Sequence, residues 1–272
     1  FNDVDRTSAT IFQFATGSGT TSYISGSSLE ALTIPSTIEC EVIFPKKPDP
    51  LSSKYYTYGV TSSLFGQHTV MPATAESTLQ WASDDLASIQ VYAVRPKAGS
   101  SDVFFKLTGS HIPEMVTDIF SNVYDNEKWN FAVRFRPEAE LFGNLVTTGS
   151  TAGKYKLEFY GVTQRFGVIT NEFSLTTNNL TKTFGESFVN APKRLYAGAH
   201  RTNFTGTVVD QTDVKISNLK YWLSYIDNET VKDHATNMHG YGPKNPYQNK
   251  GFYQSSLPNT EVPYLETLAL DW

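Results

Sequence analysis

Residues able to do acid–base chemistry are thinly spread through this 272-residue chain. Glu39 and Glu41 stand two apart on one predicted strand and are the nearest approach to a carboxylate pair. Retaining glycoside hydrolysis needs two such groups about 5–5.5 Å apart. No third carboxylate joins them, so their spacing predicts a solvated strand face. The five histidines, His68, His111, His200, His234 and His239, form no H-x-x-x-H pair and no Cys/His cluster, which argues against a zinc site. His234 and His239 flank the end of a predicted helix, where cations complement the helix dipole. There is no G-x-S-x-G elbow and no glycine loop to cradle phosphate. The single cysteine, Cys40, alternates with Ile38, Val42 and Phe44 and so reads as a small core residue. Aromatic side chains are the remaining candidates, because sugars stack on Trp and Tyr. Trp81 lies near Asp84 and Asp85, and Tyr55, Tyr56 and Tyr58 crowd one strand, so at least one of the three points outward.

The elements that position these residues are strands. The chain carries 18 Phe, 15 Tyr and 4 Trp with only 18% charged residues, which suits an all-β protein with a sizeable core. Thr37 to Phe44 alternates cleanly and ends at Pro45. In the strongest strand, Trp129, Phe131, Val133 and Phe135 share one face, and Asn130, Ala132, Arg134 and Arg136 the other. Further strands are predicted over 9–15, 55–60, 79–82, 88–94, 103–107, 155–162, 165–169, 172–175, 195–197 and 214–223. Asp227 is the predicted N-cap of a short helix over 228–238, stopped by Gly240. A second helical turn is expected within Pro113 to Val123. The net charge of −5 and the absence of a basic run argue against nucleic acid as a partner. No stretch approaches the ~18 apolar residues of a membrane span. Phe1 opens no basic-then-apolar leader, so no signal peptide is predicted, and the chain reads as a piece of something longer or a processed product. Residues 241–272 carry Pro243, Pro246, Pro258 and Pro263 and read as an extended linker or docking strap beside a sandwich over 1–240.

The Trp129 strand, with Asp125, Asn126 and Glu127 in the turn before it, resembles the central strand of laminin-G-like domains. The stretch from Arg194 through Tyr221, Trp222, Asp227 and the short helix resembles the closing segment of the concanavalin A-like superfamily. The resemblance implies a two-sheet antiparallel jelly-roll sandwich with one short helix near the C-terminal end. It implies glycans as the ligand class, with Trp81, Tyr56, His200, Arg201 and Asn203 as candidate contacts. The last three hold the residue types of the galectin His-x-Asn-x-Arg strand in another order. It also implies one optional cofactor, Ca²⁺, which takes 6–8 oxygens, with Asp84 and Asp85 or Asp210 and Asp213 as ligands. Turn and cap chemistry is the competing account of those acidic pairs. The Tyr-, Asn- and Thr-rich style is similar to structural proteins of tailed-phage virions. The expected function is therefore a non-enzymatic structural or adhesion module on a virion or extracellular surface, docking to other subunits through its strap. A free-standing carbohydrate-binding module is the alternative. A glycoside hydrolase or lyase of the same fold is disfavoured, because the carboxylate motif is missing.

Overall fold

The computed structural model describes residues 35–46, 60–69, 81–82, 84–138, 154–191, 193–203, 206–222, 224–237, 250–252, 261–263 and 268–271. The expected strand over 9–15, and Tyr55, Tyr56 and Tyr58, lie outside them. The fold is all-β, with antiparallel sheets forming a jelly-roll-like sandwich, as the alternation predicts. The chain divides into two compact units. One takes in Glu41–Trp129 and Pro192–Ser217, the other Asn130–Ala191 and Asn218–Trp272 together with the described residues 35–40.

The first unit is built on a five-stranded sheet. Its strands are β2 (Thr61–Thr69), β3 (Ile89–Val94), β4 (Phe104–Gly109), β5 (Ile112–Val116) and β9 (Lys193–Ala197), in the order β5-β4-β3-β2-β9. β5 replaces the expected helical turn. Met115 and Val116 pair with Leu107 and Lys106, and Pro113 is tolerated because β5 is an edge strand. Trp129 is fully buried and packs on Phe105 of β4 at 4.8 Å and on Phe120 at 4.9 Å, an aromatic wall within this unit. A short ladder, β10 (His200–Arg201) with β11 (Val208–Asp210), completes the unit and pairs His200 with Asp210.

The six-stranded sheet runs through the second unit. It comprises β1 (Ser36–Ile43), β6 (Lys128–Pro137), β7 (Tyr155–Arg165), β8 (Val168–Leu180), β12 (Lys215–Trp222) and β15 (Leu268–Asp271), in the order β15-β12-β1-β6-β7-β8. The two weak segments expected over 165–175 form one long strand, β8, turned back on β7 at Phe166 and Gly167 with positive φ. Ile38, Cys40, Val42 and Phe44 are all buried, as their spacing predicts. Helix α2 (Asn228–Thr236) starts where expected, with the Asp227 carboxylate accepting from the Thr230 amide at 2.7 Å, and ends at Asn237. A second short helix, α1 (Lys182–Asn190), was not legible. Its Phe188 stacks on Phe135 at 4.0 Å. Gly185 admits the Tyr155 ring where a Cβ would lie 2.0 Å from it.

Two expectations are corrected. Residues 241–272 do not all stand outside the sandwich. β15 adds to its sheet as an edge strand, with Leu270 opposite Tyr221 and Leu268 opposite Trp222. Upstream of it, β13 (Lys250–Phe252) pairs with β14 (Glu261–Pro263). Leu268 gains apolar contact with the cluster of Trp222, Tyr160 and Val162, which outweighs the freedom of a loose strap. Glu39 and Glu41 are likewise not solvated, being 3% and 7% exposed. Strand alternation placed them on the outer face, and other elements of the chain bury that face.

Candidate functional site

The first unit gathers an imidazole and aromatic cluster around His68. β2 carries His68 two residues after Gly66, on the same face. Gly66 lies opposite Tyr196 of β9. A Cβ there would come within 2.7 Å of the Tyr196 ring, so glycine lets that ring lie flat across β2. The Tyr196 ring centre is then 5.7 Å from His68 and 5.3 Å from His200, with all three planes within 20°. The Ala82 amide donates to the Thr69 carbonyl at 2.8 Å, holding the preceding Trp81 beside His68. Trp81 stacks on His68 at 4.1 Å and 18°, and its Nε1 donates to the Arg201 carbonyl at 3.2 Å.

The polar groups form a chain through this stack. The Asp85 carboxylate accepts from the Thr69 amide at 2.6 Å and lies 2.5 Å from His68 Nδ1. His68 Nε2 is 3.0 Å from His200 Nε2. His200 Nδ1 is 3.3 Å from Asp210 Oδ2, which also accepts from the Tyr92 hydroxyl at 3.1 Å. Burial, then the neighbouring His68, holds His200 below the ordinary imidazole value, against the pull of Asp210 and Asp85. Burial and Asp210 push the Tyr92 phenol above its ordinary value. Nearby in β9, burial pushes the Lys193 ammonium down to about 7.

Of the candidates from sequence, Trp81, His200, Asp85, Asp210 and the Arg201 backbone come together. The others do not. The Arg201 guanidinium turns back to the Gly206 carbonyl at 2.9 Å, and Asn203 sits in the turn that the same residue closes. Asp84 pairs with His111 at 2.7 Å on the surface. Asp213 binds Arg95 at 2.5 Å and the Tyr124 hydroxyl at 2.6 Å, while Arg95 lies 3.8 Å over the Tyr124 ring. The two acidic pairs thus serve different donors. Among the described residues, no group of three or more His, Cys, Asp or Glu is placed to hold a metal.

His68, Tyr92 and Tyr196 were not picked out by sequence. The only signal was the buried polar run of β2, TSSLFGQHT, which lacks apolar alternation.

In the second unit, Glu39 accepts from His234 Nδ1 at 2.9 Å, Asn130 Nδ2 at 2.8 Å and Trp222 Nε1 at 3.2 Å. His234 lies in the last turn of α2, the helix end where it was expected, and its ring also stacks on Trp222. Glu41, which belongs to the first unit, binds Lys128 at 2.9 Å and the Ser217 hydroxyl.

No protein-family model matches the chain, and no curated protein does. Among solved structures, it is similar to the native heptameric SAP-like pentraxin from Limulus polyphemus, over 85% of this chain and 80% of that one, at 12% identity and a TM-score of 0.39. It is also similar to the CBM2 module of the evolved Dit of Lactobacillus casei BL23 phage J-1, over 72% and 63% at 10% identity and a TM-score of 0.30. Likeness at this level assigns no function. Among the described residues, no helix is long and apolar enough to cross a membrane.

Proposed function

We propose that this chain is a non-enzymatic structural or adhesion module of a virion or other extracellular surface, and that it binds a glycan at Trp81. One observation carries the reading. The Trp81 ring is half-buried and fixed on both sides, by the His68 stack at 4.1 Å and by the bond to the Arg201 carbonyl. A rigid indole that keeps part of its surface open suits a sugar ring, which loses little on docking against a preorganised platform. The carboxylates of β1 support a non-enzymatic role. Glu39 and Glu41 are engaged by His234, Asn130, Trp222, Lys128 and Ser217, which leaves them ill-suited to shuttle a proton. Among the described residues β15 ends the six-stranded sheet, so its outer edge is the natural place for a neighbouring subunit to add a strand.

A glycan array run with wild type and Trp81→Ala tests the site, with and without added Ca²⁺. The expected result is binding to a defined glycan class that the variant loses while its circular dichroism stays unchanged. Equal binding by both proteins overturns the placement at Trp81. Turnover of β-glucan, alginate or peptidoglycan overturns the non-enzymatic reading.

A further inference from the structure

The two imidazoles of the first unit pose an electrostatic problem. His68 Nδ1 faces Asp85 Oδ2 at 2.5 Å, and His200 Nδ1 faces Asp210 Oδ2 at 3.3 Å, with the Tyr92 hydroxyl also 3.3 Å away. An ionised carboxylate only accepts, so the tautomer that pairs each ring with its carboxylate carries the hydrogen on Nδ1. Each ring is left with Nε2 as its other nitrogen, and the two Nε2 atoms face each other at 3.0 Å. Two neutral rings would oppose lone pairs at that distance. A positive centre between them removes the repulsion, and it is either a third proton or a metal ion.

We propose that His68 and His200 form a two-imidazole site for a divalent transition-metal ion of the zinc class, with Asp85 and Asp210 as positioning residues. Tetrahedral zinc with Zn–N bonds of about 2.0–2.1 Å separates two ligand nitrogens by about 3.3 Å. The observed separation needs to open by only a few tenths of an ångström. A carboxylate on the far nitrogen of each ligand ring is the arrangement that fixes tautomer and ring direction in histidine–metal sites. Both rings are further held by the Tyr196 stack, and His68 by Trp81. Imidazole nitrogen suits Zn²⁺, Cu²⁺ and Ni²⁺, whereas Ca²⁺ takes oxygen. Access is from the β10–β11 side, where the His200 and Asp210 side chains are 15% and 31% exposed against 6% for His68. Water completes the coordination shell. The site does not depend on glycan binding at Trp81, so either can fail alone.

The test is calorimetric titration of Zn²⁺ into chelator-treated full-length protein at neutral pH. The expected result is one Zn²⁺ per chain, abolished in His200→Ala and weakened about 10–100-fold in Asp85→Asn and Asp210→Asn. Histidine ¹H–¹⁵N spectra of the wild type give a readout that survives misfolding of any variant. Zn²⁺ should shift Nε2 of His68 and His200 and leave both Nδ1 atoms protonated, and Ca²⁺ should shift neither. Affinity weaker than about 1 mM overturns the proposal and leaves a shared proton between the rings. Binding that persists in a folded His200→Ala variant, or shifts confined to His111, His234 or His239, overturns it equally.

Discussion

Two histidine–carboxylate centres in this chain use the same groups to opposite ends. In the second unit, Glu39 and His234 are each 3% exposed, and the carboxylate is saturated by donors from His234, Asn130 and Trp222. In the first unit, Asp85 and Asp210 each take one imidazole, and the two rings turn their remaining nitrogens on each other. Asp210 is nearly one-third exposed. Burying a charge demands that its hydrogen-bonding capacity be met. Where it is fully met, the pair is structural. Where ring nitrogens converge at a partly open edge, chemistry remains available.

Five measurements test that contrast. The largest effect should come from the apolar wall of the first unit. Trp129→Ala leaves a cavity against Phe105 and Phe120 and should cost about 3–5 kcal/mol in denaturant unfolding. A loss under about 1 kcal/mol would mean that Trp129 is not enclosed. Glu39→Ala should also cost about 3–5 kcal/mol, because it strands the His234, Asn130 and Trp222 donors. A small loss would show that the second unit's pair is as open as the first unit's.

Acid should act through the same residue. Burial alone would raise the Glu39 pKa, but the hydrogen bond and charge of His234, then Lys220 and Asn130, hold it below the ordinary carboxylate value. A lowered carboxylate stabilises fully above its unfolded value, and that contribution is lost as pH falls through the lowered folded value. Wild type should therefore lose stability on acidification more steeply than Glu39→Gln. Parallel pH curves would show that Glu39 is not coupled to folding.

The smaller effects come from the edges. Deleting residues 268–271 removes Leu268 from its contact with the Trp222 cluster and should cost about 1–2 kcal/mol. No change would return that segment to the role of a free strap. Asp210→Asn should cost less than about 1 kcal/mol, since a partly exposed ion pair is screened by solvent. A loss as large as that of Glu39→Ala would make the first centre structural as well, and the contrast would fall.

Local periodicity, a property of neighbouring residues, determined much of this molecule from sequence alone. The alternation around Cys40 and along Trp129 to Phe135 located β1 and β6, and Asp227 marked the start of α2, because pleat and cap act within a few residues. The helix α1 was hidden, since KTFGESFVN is short and carries a glycine whose role is set by the distant Tyr155 ring. β2 was hidden too, because a strand covered on both faces loses its alternation. Tertiary structure alone decided which charged groups are buried and which histidines meet. His68 and His200 are 132 residues apart, and Glu39 and His234 are 195 apart. Tertiary packing brings each pair together, the β10–β11 ladder beside β2 and α2 beside β1, and no spacing along the chain encodes such a contact.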